Sequence, residues 1–414
     1  MRSVFSLLLL VLFAAPVLAG SPADEYAARR AELARQIGPD GILILMSPPP
    51  SQRNGDVDWP YRQEDSLLYL TGLGDPETSL VLTPGDAERK ESVFTRDSDP
   101  ASEVWTGRIA TFAEVTALSG VKNVSSSSQL SGFVSSLLER HGGQQSLRDG
   151  KTVVWMILEN RSFGGDVSAE LKYVEQLRRS YPELQFRDAF PLLAAMRQIK
   201  SPTEIATVQH AINVTVAAQK AAMQRVQSAK HEYEIQATIE YTFRNLGACC
   251  WAFPSIAASG RNTTTLHYET NNDAVVPGAL MLTDIGAEVD GYSADVTRTY
   301  PQSGHFSTEQ RAIYEAVLRA QSETIPKMKA GASMRDVHNA AVGILGEELL
   351  KLGLISQNKP EQVRLYFFHG LGHQLGLRTH DVGDYRGNLL KAGMIVTDEP
   401  GIYVRPTDVH ASPI

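Results

Sequence analysis

Seven residues near the middle of the chain, Ile199-Lys-Ser-Pro-Thr-Glu-Ile205, limit the fold more than any other stretch. Ser201 can cap a helix, Pro202 takes its first position, and Glu204 closes a capping box. A helix that must start there, with Ile205, Val208, Ile212 and Val216 on one side, divides the 414-residue chain into two units. Before the junction, apolar runs alternate with helical spacing. A helix is predicted over 23–37 with Tyr26, Ala27, Leu33 and Ile37 as its apolar side, and another over 167–177. Buried strands are predicted at Gly41–Met46, Leu67–Thr71, Ser79–Thr83 and Thr152–Leu158, with a polar loop at Ser125–Ser128. That alternation defines an α/β domain over residues 20–195. Beyond the junction the texture changes to an α+β unit over residues 200–414. It comprises a helix at Glu232–Leu246, strand-like runs at Gly278–Ile285 and Tyr292–Tyr300, helices at Thr308–Met328 and Ser333–Leu352, and a final strand at Met394–Val404.

Arg2, the apolar run Val4–Ala15 and the small residues Val17-Leu18-Ala19 read as a signal peptide over residues 1–19. That run of 12 residues, apolar but for Ser6, falls short of the roughly 20 that span a bilayer. The chain is therefore expected to be exported, periplasmic or secreted, with no membrane attachment after cleavage. With 39 Lys and Arg against 47 Asp and Glu, the net charge of −8 excludes the electrostatic footprint of a nucleic-acid binder. Two cysteines exclude a disulfide-dense scaffold and a zinc module built from cysteines. Cys249 and Cys250 are read as small apolar side chains buried beside Trp251 and Phe253; a vicinal disulfide is the alternative.

Chemistry concentrates after the junction. Asp284 and Asp295 lie eleven apart on two predicted strands joined at Gly286–Gly291, so a hairpin can bring both carboxylates to one face at one level. Like charges there would raise one pKa strongly, a cost that a divalent cation removes. Phe368–Asp381 holds three of the chain's ten histidines: His369, His373 and His380. The first two are spaced as in a zinc-binding helix, but no Glu follows His369, and Gly370, Gly372 and Gly376 disfavour a helix. These glycines are expected to let the backbone approach a ligand. Glu399 ends an apolar run before a Pro-Gly turn, a fixed position for a further ligand. Carboxylate-rich, imidazole-poor ligation suits Mn²⁺, with Co²⁺ or Zn²⁺ as alternatives. Several carboxylates can hold two such ions about 3.5–4 Å apart, which suits amide hydrolysis.

At these residues the chain resembles the pita-bread metallopeptidases, and within them the Xaa-Pro aminopeptidases, over about Arg30 to Val404. The resemblance implies an α/β, creatinase-like N-terminal domain followed by an α+β pita-bread catalytic domain. It implies metal ligands at Asp284, Asp295, His373 and Glu399, and active-site histidines at His267, His369 and His380. Glu399 would also transfer the proton, and Tyr403 would line the pocket. Three N-terminal segments resemble the same family: Tyr61–Gly72, Glu103-Val-Trp-Thr-Gly-Arg108 and the junction. The second would place Trp105 and Arg108 beside the substrate, often across a subunit interface, and favours this type over prolidase. The implied activity is removal of the first residue from peptides with proline second, by two divalent ions in a homo-oligomer (dimer or tetramer). Prolidase, a catalytically inactive pita-bread binding module and a creatinase-type amidinohydrolase are the other readings. The family's fifth ligand, a Glu roughly twenty residues beyond the Glu-Pro-Gly turn, has no counterpart, because the sequence stops at Ile414 with only Asp408 and His410 as substitutes. The chain as written is therefore expected to be incomplete at its C-terminus and to bind metal weakly with low activity.

Overall fold

The computed structural model describes residues 21–140, 150–158, 167–383, 387 and 389–405. The leader predicted at 1–19, and Asp408 and His410, lie outside the described residues.

The N-terminal part is built on a six-stranded mixed sheet. Its order is Asn123–Ser126, Glu91–Thr95, Ser79–Leu82, Gly41–Met46, Val153–Met156 and Gln185–Asp188. The central strands are almost wholly buried and flanked by helices, as their continuous apolar runs require. The segment predicted as a loop at Ser125–Ser128 instead begins within the edge strand, paired parallel to Glu91–Thr95. Leu67–Thr71 is not a strand but the body of a helix, Asp65–Thr71. Glu64 accepts from the Leu67 N–H to cap its start, and Gly72, at φ 68°, donates to Leu68 to end it. A short buried apolar run carries no periodicity with which to separate the two states. The first helix, Pro22–Ile37, buries Leu33 and Ile37 as predicted, together with Arg29 and Arg30, which the apolar pattern does not mark.

Ser201, Pro202 and Glu204 start the long helix Pro202–Arg225 with the capping box in place. Glu204 is also buried, accepting from the Tyr292 hydroxyl at 2.8 Å and facing Arg29 at 3.2 Å. Two small sheets lie against this helix: Ile256–Ser259, Leu280–Ile285 and Val296–Pro301 in one, and Tyr292–Ser293, Ala287–Val289 and Cys250–Trp251 in the other. Helices Thr308–Thr324 and Met334–Lys351 follow close to their expected bounds. The final segment is not a continuous strand. It runs antiparallel to Leu371–Leu375 through the Glu399 N–H to Leu371 O (2.7 Å), Thr397 N–H to His373 O (2.9 Å) and Leu375 N–H to Ile395 O (3.1 Å) bonds.

The two halves share one apolar cluster, in which Leu33, Leu67, Leu70 and Leu193 meet Val208, Tyr292, Leu375 and Leu377. Beside it lies a buried ion network. Asp381 binds Arg197 at 2.6 Å and Lys200 at 3.2 Å, while Asp65 binds Arg62 at 2.7 Å, Arg197 at 3.4 Å and Arg378. Both carboxylates are 1 % exposed. Replacing Asp381 by Asn leaves Arg197 and Lys200 short of their counter-charge, and urea denaturation should show a loss of about 3–5 kcal/mol. A loss below 1 kcal/mol would mean that solvent reaches the network.

Candidate metal centre

The hairpin that carries the two aspartates is split between the two small sheets. Asp284 lies opposite Thr297 and Ile285 opposite Val296, which places Asp295 one step beyond the ladder, opposite Gly286. Alternation then puts Asp284 and Asp295 on one face, on a diagonal rather than at one level. Gly286 is where the strands pinch: a Cβ there would lie 1.9 Å from the Ala294 carbonyl oxygen. The tip, Asp290-Gly291, has positive φ at both residues (50° and 81°) and turns the chain tightly. Gln219, buried on the long helix, donates to the Thr283 and Val296 carbonyls at 3.1 and 2.6 Å and so holds both strands. Nothing in the sequence pattern distinguishes this glutamine from a solvated one.

His369 and His373 are not on a helix, as the glycines predicted. Two of the three glycines are required by the chain's own packing, while Gly370 faces open space. A Cβ on Gly372 would meet the Thr397 carbonyl at 2.1 Å, and one on Gly376 would meet the Asp381 carboxylate at 2.2 Å. This approach brings His373 to Glu399. His373 Nε2 lies 3.2 Å from Asp295 Oδ2 and 3.1 Å from Glu399 Oε1. Its Nδ1–H donates to the Gln374 carbonyl (3.0 Å) and its backbone N–H to Thr397 Oγ1 (3.0 Å), which leaves Nε2 free to ligate. Thr397 Oγ1 also donates to Glu399. Neither Thr397 nor Gln219 was identified from the sequence.

Burial, then Asp295 and Glu399, push the Asp284 carboxyl up to about 7. Asp284 Oδ1 is buried with no hydrogen-bond partner. Burial disfavours the His373 imidazolium, but its hydrogen bonds to Asp295 and Glu399 outweigh that and raise it to about 10. Glu399 is held below its ordinary value: burial opposes ionisation, and the bonds from His373 and Thr397 overcome it. The neighbouring Asp398 faces away, accepting from Thr324 at 2.9 Å, and burial lifts it to about 6. One ligand atom each from Asp295, His373 and Glu399 falls within 4.8 Å of the others. An orphaned carboxylate oxygen beside three gathered donors, mostly oxygen, fits a divalent cation.

The remaining predicted residues divide into two groups. His380 stacks edge-on against His373, with ring centroids 4.3 Å apart, and burial followed by His373 lowers its pKa. His267 is exposed and near enough to repel the charged form of His380. The His369 Nδ1–H donates to the Gly370 carbonyl (2.8 Å), so Nε2 accepts from the Tyr403 hydroxyl (2.9 Å). Burial, then Asp284 and Glu399, raise Tyr403. Trp105 and Arg108 stand apart. Trp105 is 87 % exposed on the short helix Pro100–Thr106, and Arg108 pairs with Glu114 of its own domain.

Cys249 and Cys250 are not buried beside Trp251 and Phe253, nor disulfide-bonded. Both are free, exposed thiols. Cys250 lies on an edge strand, opposite the polar Glu288.

A two-unit chain with a carboxylate-and-imidazole centre on its second unit has the architecture of a metal-dependent hydrolase. The chain belongs to metallopeptidase family M24, which matches residues 206–412, and residues 26–145 match the aminopeptidase P N-terminal domain. It is 32 % identical over 395 residues to the Xaa-Pro aminopeptidase of Haemophilus influenzae, covering 94 % of this chain and 88 % of that protein. It is 30 % identical to human Xaa-Pro aminopeptidase 3, covering 94 % of this chain and 78 % of that protein. Among solved structures, aminopeptidase PepP of Pseudomonas aeruginosa is 33 % identical with a TM-score of 0.84, covering 94 % of this chain and 89 % of that one. Aminopeptidase P of Escherichia coli in its low-pH form is 31 % identical with a TM-score of 0.84, covering 95 % and 90 %. Among the described residues no helix is long and apolar enough to cross a membrane.

Proposed function

We propose that the protein is a Xaa-Pro aminopeptidase, releasing the first residue of peptides whose second residue is proline. The observation that carries this reading is the meeting of Asp295, His373 and Glu399 beside the unpartnered Asp284 oxygen, in a chain that matches aminopeptidase P relatives over nearly its whole length. Asp284, Asp295, His373 and Glu399 would hold two divalent ions, Mn²⁺ by preference and Co²⁺ or Zn²⁺ as alternatives. When bound, the ions polarise the carbonyl before proline and lower the pKa of the attacking water.

The other steps fall to side chains. Glu399 accepts the proton of the water as its oxygen adds to the carbonyl carbon. It delivers that proton to the proline nitrogen as the carbon–nitrogen bond breaks. Neutral His380, with its lowered pKa, donates a hydrogen bond to the developing oxyanion, and His267 offers a second donor. The Tyr403–His369 pair walls the pocket for the proline ring. The free amine of the substrate lies by Asp284. Trp105 and Arg108, exposed in the single chain, would reach substrate from a neighbouring subunit of a dimer or tetramer. The division into residues 1–19, 20–195 and 200–414, and export by the cleaved leader, complete the proposal.

The test is release of arginine from an Arg-Pro-Pro peptide with added Mn²⁺, compared with Arg-Ala-Ala and with the dipeptide Arg-Pro. The reading expects cleavage of the first alone. Preference for the dipeptide would identify a prolidase, and tight peptide binding without release would identify an inactive binding module.

A further inference from the structure

A second cluster of ligand-forming side chains lies where the strand Cys250–Trp251 meets the hairpin between Asp284 and Asp295, and the peptidase chemistry leaves it unused. The strand Cys250–Trp251 pairs antiparallel with Ala287–Val289, which sets Glu288 opposite Cys250. The Cys249 N–H donates to the Glu288 carbonyl at 3.1 Å, and the Cys249 thiol lies 3.6 Å from Glu288 Oε1. One ligand atom each from Cys249, Cys250 and Glu288 falls within 4.8 Å of the others. Arg62 Nε holds the second oxygen of Glu288 at 2.9 Å, and Arg244 donates to the carbonyls of Ala248 (3.0 Å) and Cys249. The carboxylate and the backbone carrying the thiols are thus both fixed in advance. Glu288 is 6 % exposed while both cysteines face solvent, so the cluster has a rigid floor and an open top.

We propose that the Sγ atoms of Cys249 and Cys250 and Oε1 of Glu288 form a binding site for a thiophilic divalent ion, of the zinc and cadmium class, separate from the peptidase centre. Metal–sulfur and metal–oxygen bonds of about 2.3 and 2.0 Å set neighbouring ligands of a tetrahedral ion about 3.5–3.8 Å apart. The 3.6 Å between Cys249 Sγ and Glu288 Oε1 already meets that spacing, and the widest separation needs only a thiol rotation. Water from the open side supplies the fourth ligand. Binding replaces two S–H bonds with two metal–sulfur bonds and releases two protons to solvent, with no change of oxidation state. Two thiolates select a softer ion than the three carboxylates of the peptidase centre, so the two sites sort different metals. Two cysteines are too few for a zinc module of their own. The third ligand lies 38 residues beyond Cys250, and strand pairing alone brings it alongside. The hydrogen bond from Cys249, then Arg62 and Arg244, favour the thiolate of Cys250 against burial and Glu288, whereas that same bond, burial and Glu288 hold Cys249 in its thiol form until a metal displaces the proton.

The experiment titrates cadmium into the full chain, reduced with a non-chelating phosphine and saturated with Mn²⁺. The readouts are thiolate-to-metal charge-transfer absorption in the ultraviolet and bound cadmium by elemental analysis. One thiolate-bound cadmium per chain is expected, lost in C249S and in C250S and kept in a Glu399→Ala background. Glu288→Gln should weaken binding by about 10-fold or more, and Arg62→Gln, which keeps the carboxylate, should retain the band. Thermal melts exclude unfolding as the cause in each variant. Absence of the band in the reduced protein, or equal affinity in E288Q, would overturn the proposal.

Discussion

Without metal at pH 8, the Asp284→Asn variant is expected to unfold at a higher temperature than the wild type. Burial and Asp295 raise the folded-state pKa of Asp284 to about 7, against 3.8 for the ordinary group. Between those values the folded state keeps a proton that the unfolded state has lost, so wild-type stability falls as pH rises through that window. The full shift corresponds to about 4 kcal/mol, and solvent at the partly exposed residue reduces this to about 2 kcal/mol. Asn carries no charge to bury and escapes the loss. The same variant should give up the stabilisation that a divalent ion confers on the wild type, because a ligand that binds only the folded state stabilises by mass action. Thermal melts of both proteins at pH 5 and pH 8, with and without Mn²⁺, measure all of this. Equal melting of the two metal-free proteins at pH 8 would show that Asp284 ionises freely.

His373→Ala should abolish metal-dependent peptide cleavage, lowering kcat/KM by on the order of 10³-fold or more. His373 touches both Asp295 and Glu399, at 3.2 and 3.1 Å. Removing the ring takes away the nitrogen that would ligate the metal and the group lying between the two carboxylates. It also takes away the wall against which His380 packs. The metal-free variant places Asp295 and Glu399 together with no cation between them, so its folded state should weaken as pH rises above the carboxylate range. Equilibrium dialysis against Mn²⁺ with steady-state kinetics separates lost binding from lost turnover. Near-normal turnover at saturating metal would remove His373 from the ligand set.

How much of this was legible before the fold was known varies with the physics of each element. The helix start at Ser201–Glu204 was readable because capping is local: Ser201 and Glu204 exchange bonds across three residues. The helices Glu232–Asn245, Thr308–Thr324 and Met334–Lys351 were readable close to their bounds, whereas the four-residue helix Pro360–Val363 is too short to show a period. The Asp284 and Asp295 pair was readable as one face of a hairpin, because strand alternation is also local, whereas their diagonal offset depended on where the ladder stops. Leu67–Thr71 was misread because burial on every side removes the periodicity that separates strand from helix. Arg30, 1 % exposed, pairs with Glu91 and with the carbonyls of Leu70 and Ser119, partners 40 to 89 residues away. No window of sequence contains them.

The sequence by itself determined the two-part division, the starts of the long helices after the junction and the short inventory of carboxylates and imidazoles. Each follows from residues within a turn or two of one another. The tertiary structure alone decided which of those groups meet, because Asp295, His373 and Glu399 are joined by packing rather than by chain. It decided that Gly372 and Gly376 serve chain-to-chain contact, that Asp398 turns away while Glu399 turns in, and that two cysteines stand exposed beside Glu288. Long-range packing fixes such partners through shape and desolvation. These quantities belong to the assembled fold and to no segment of it.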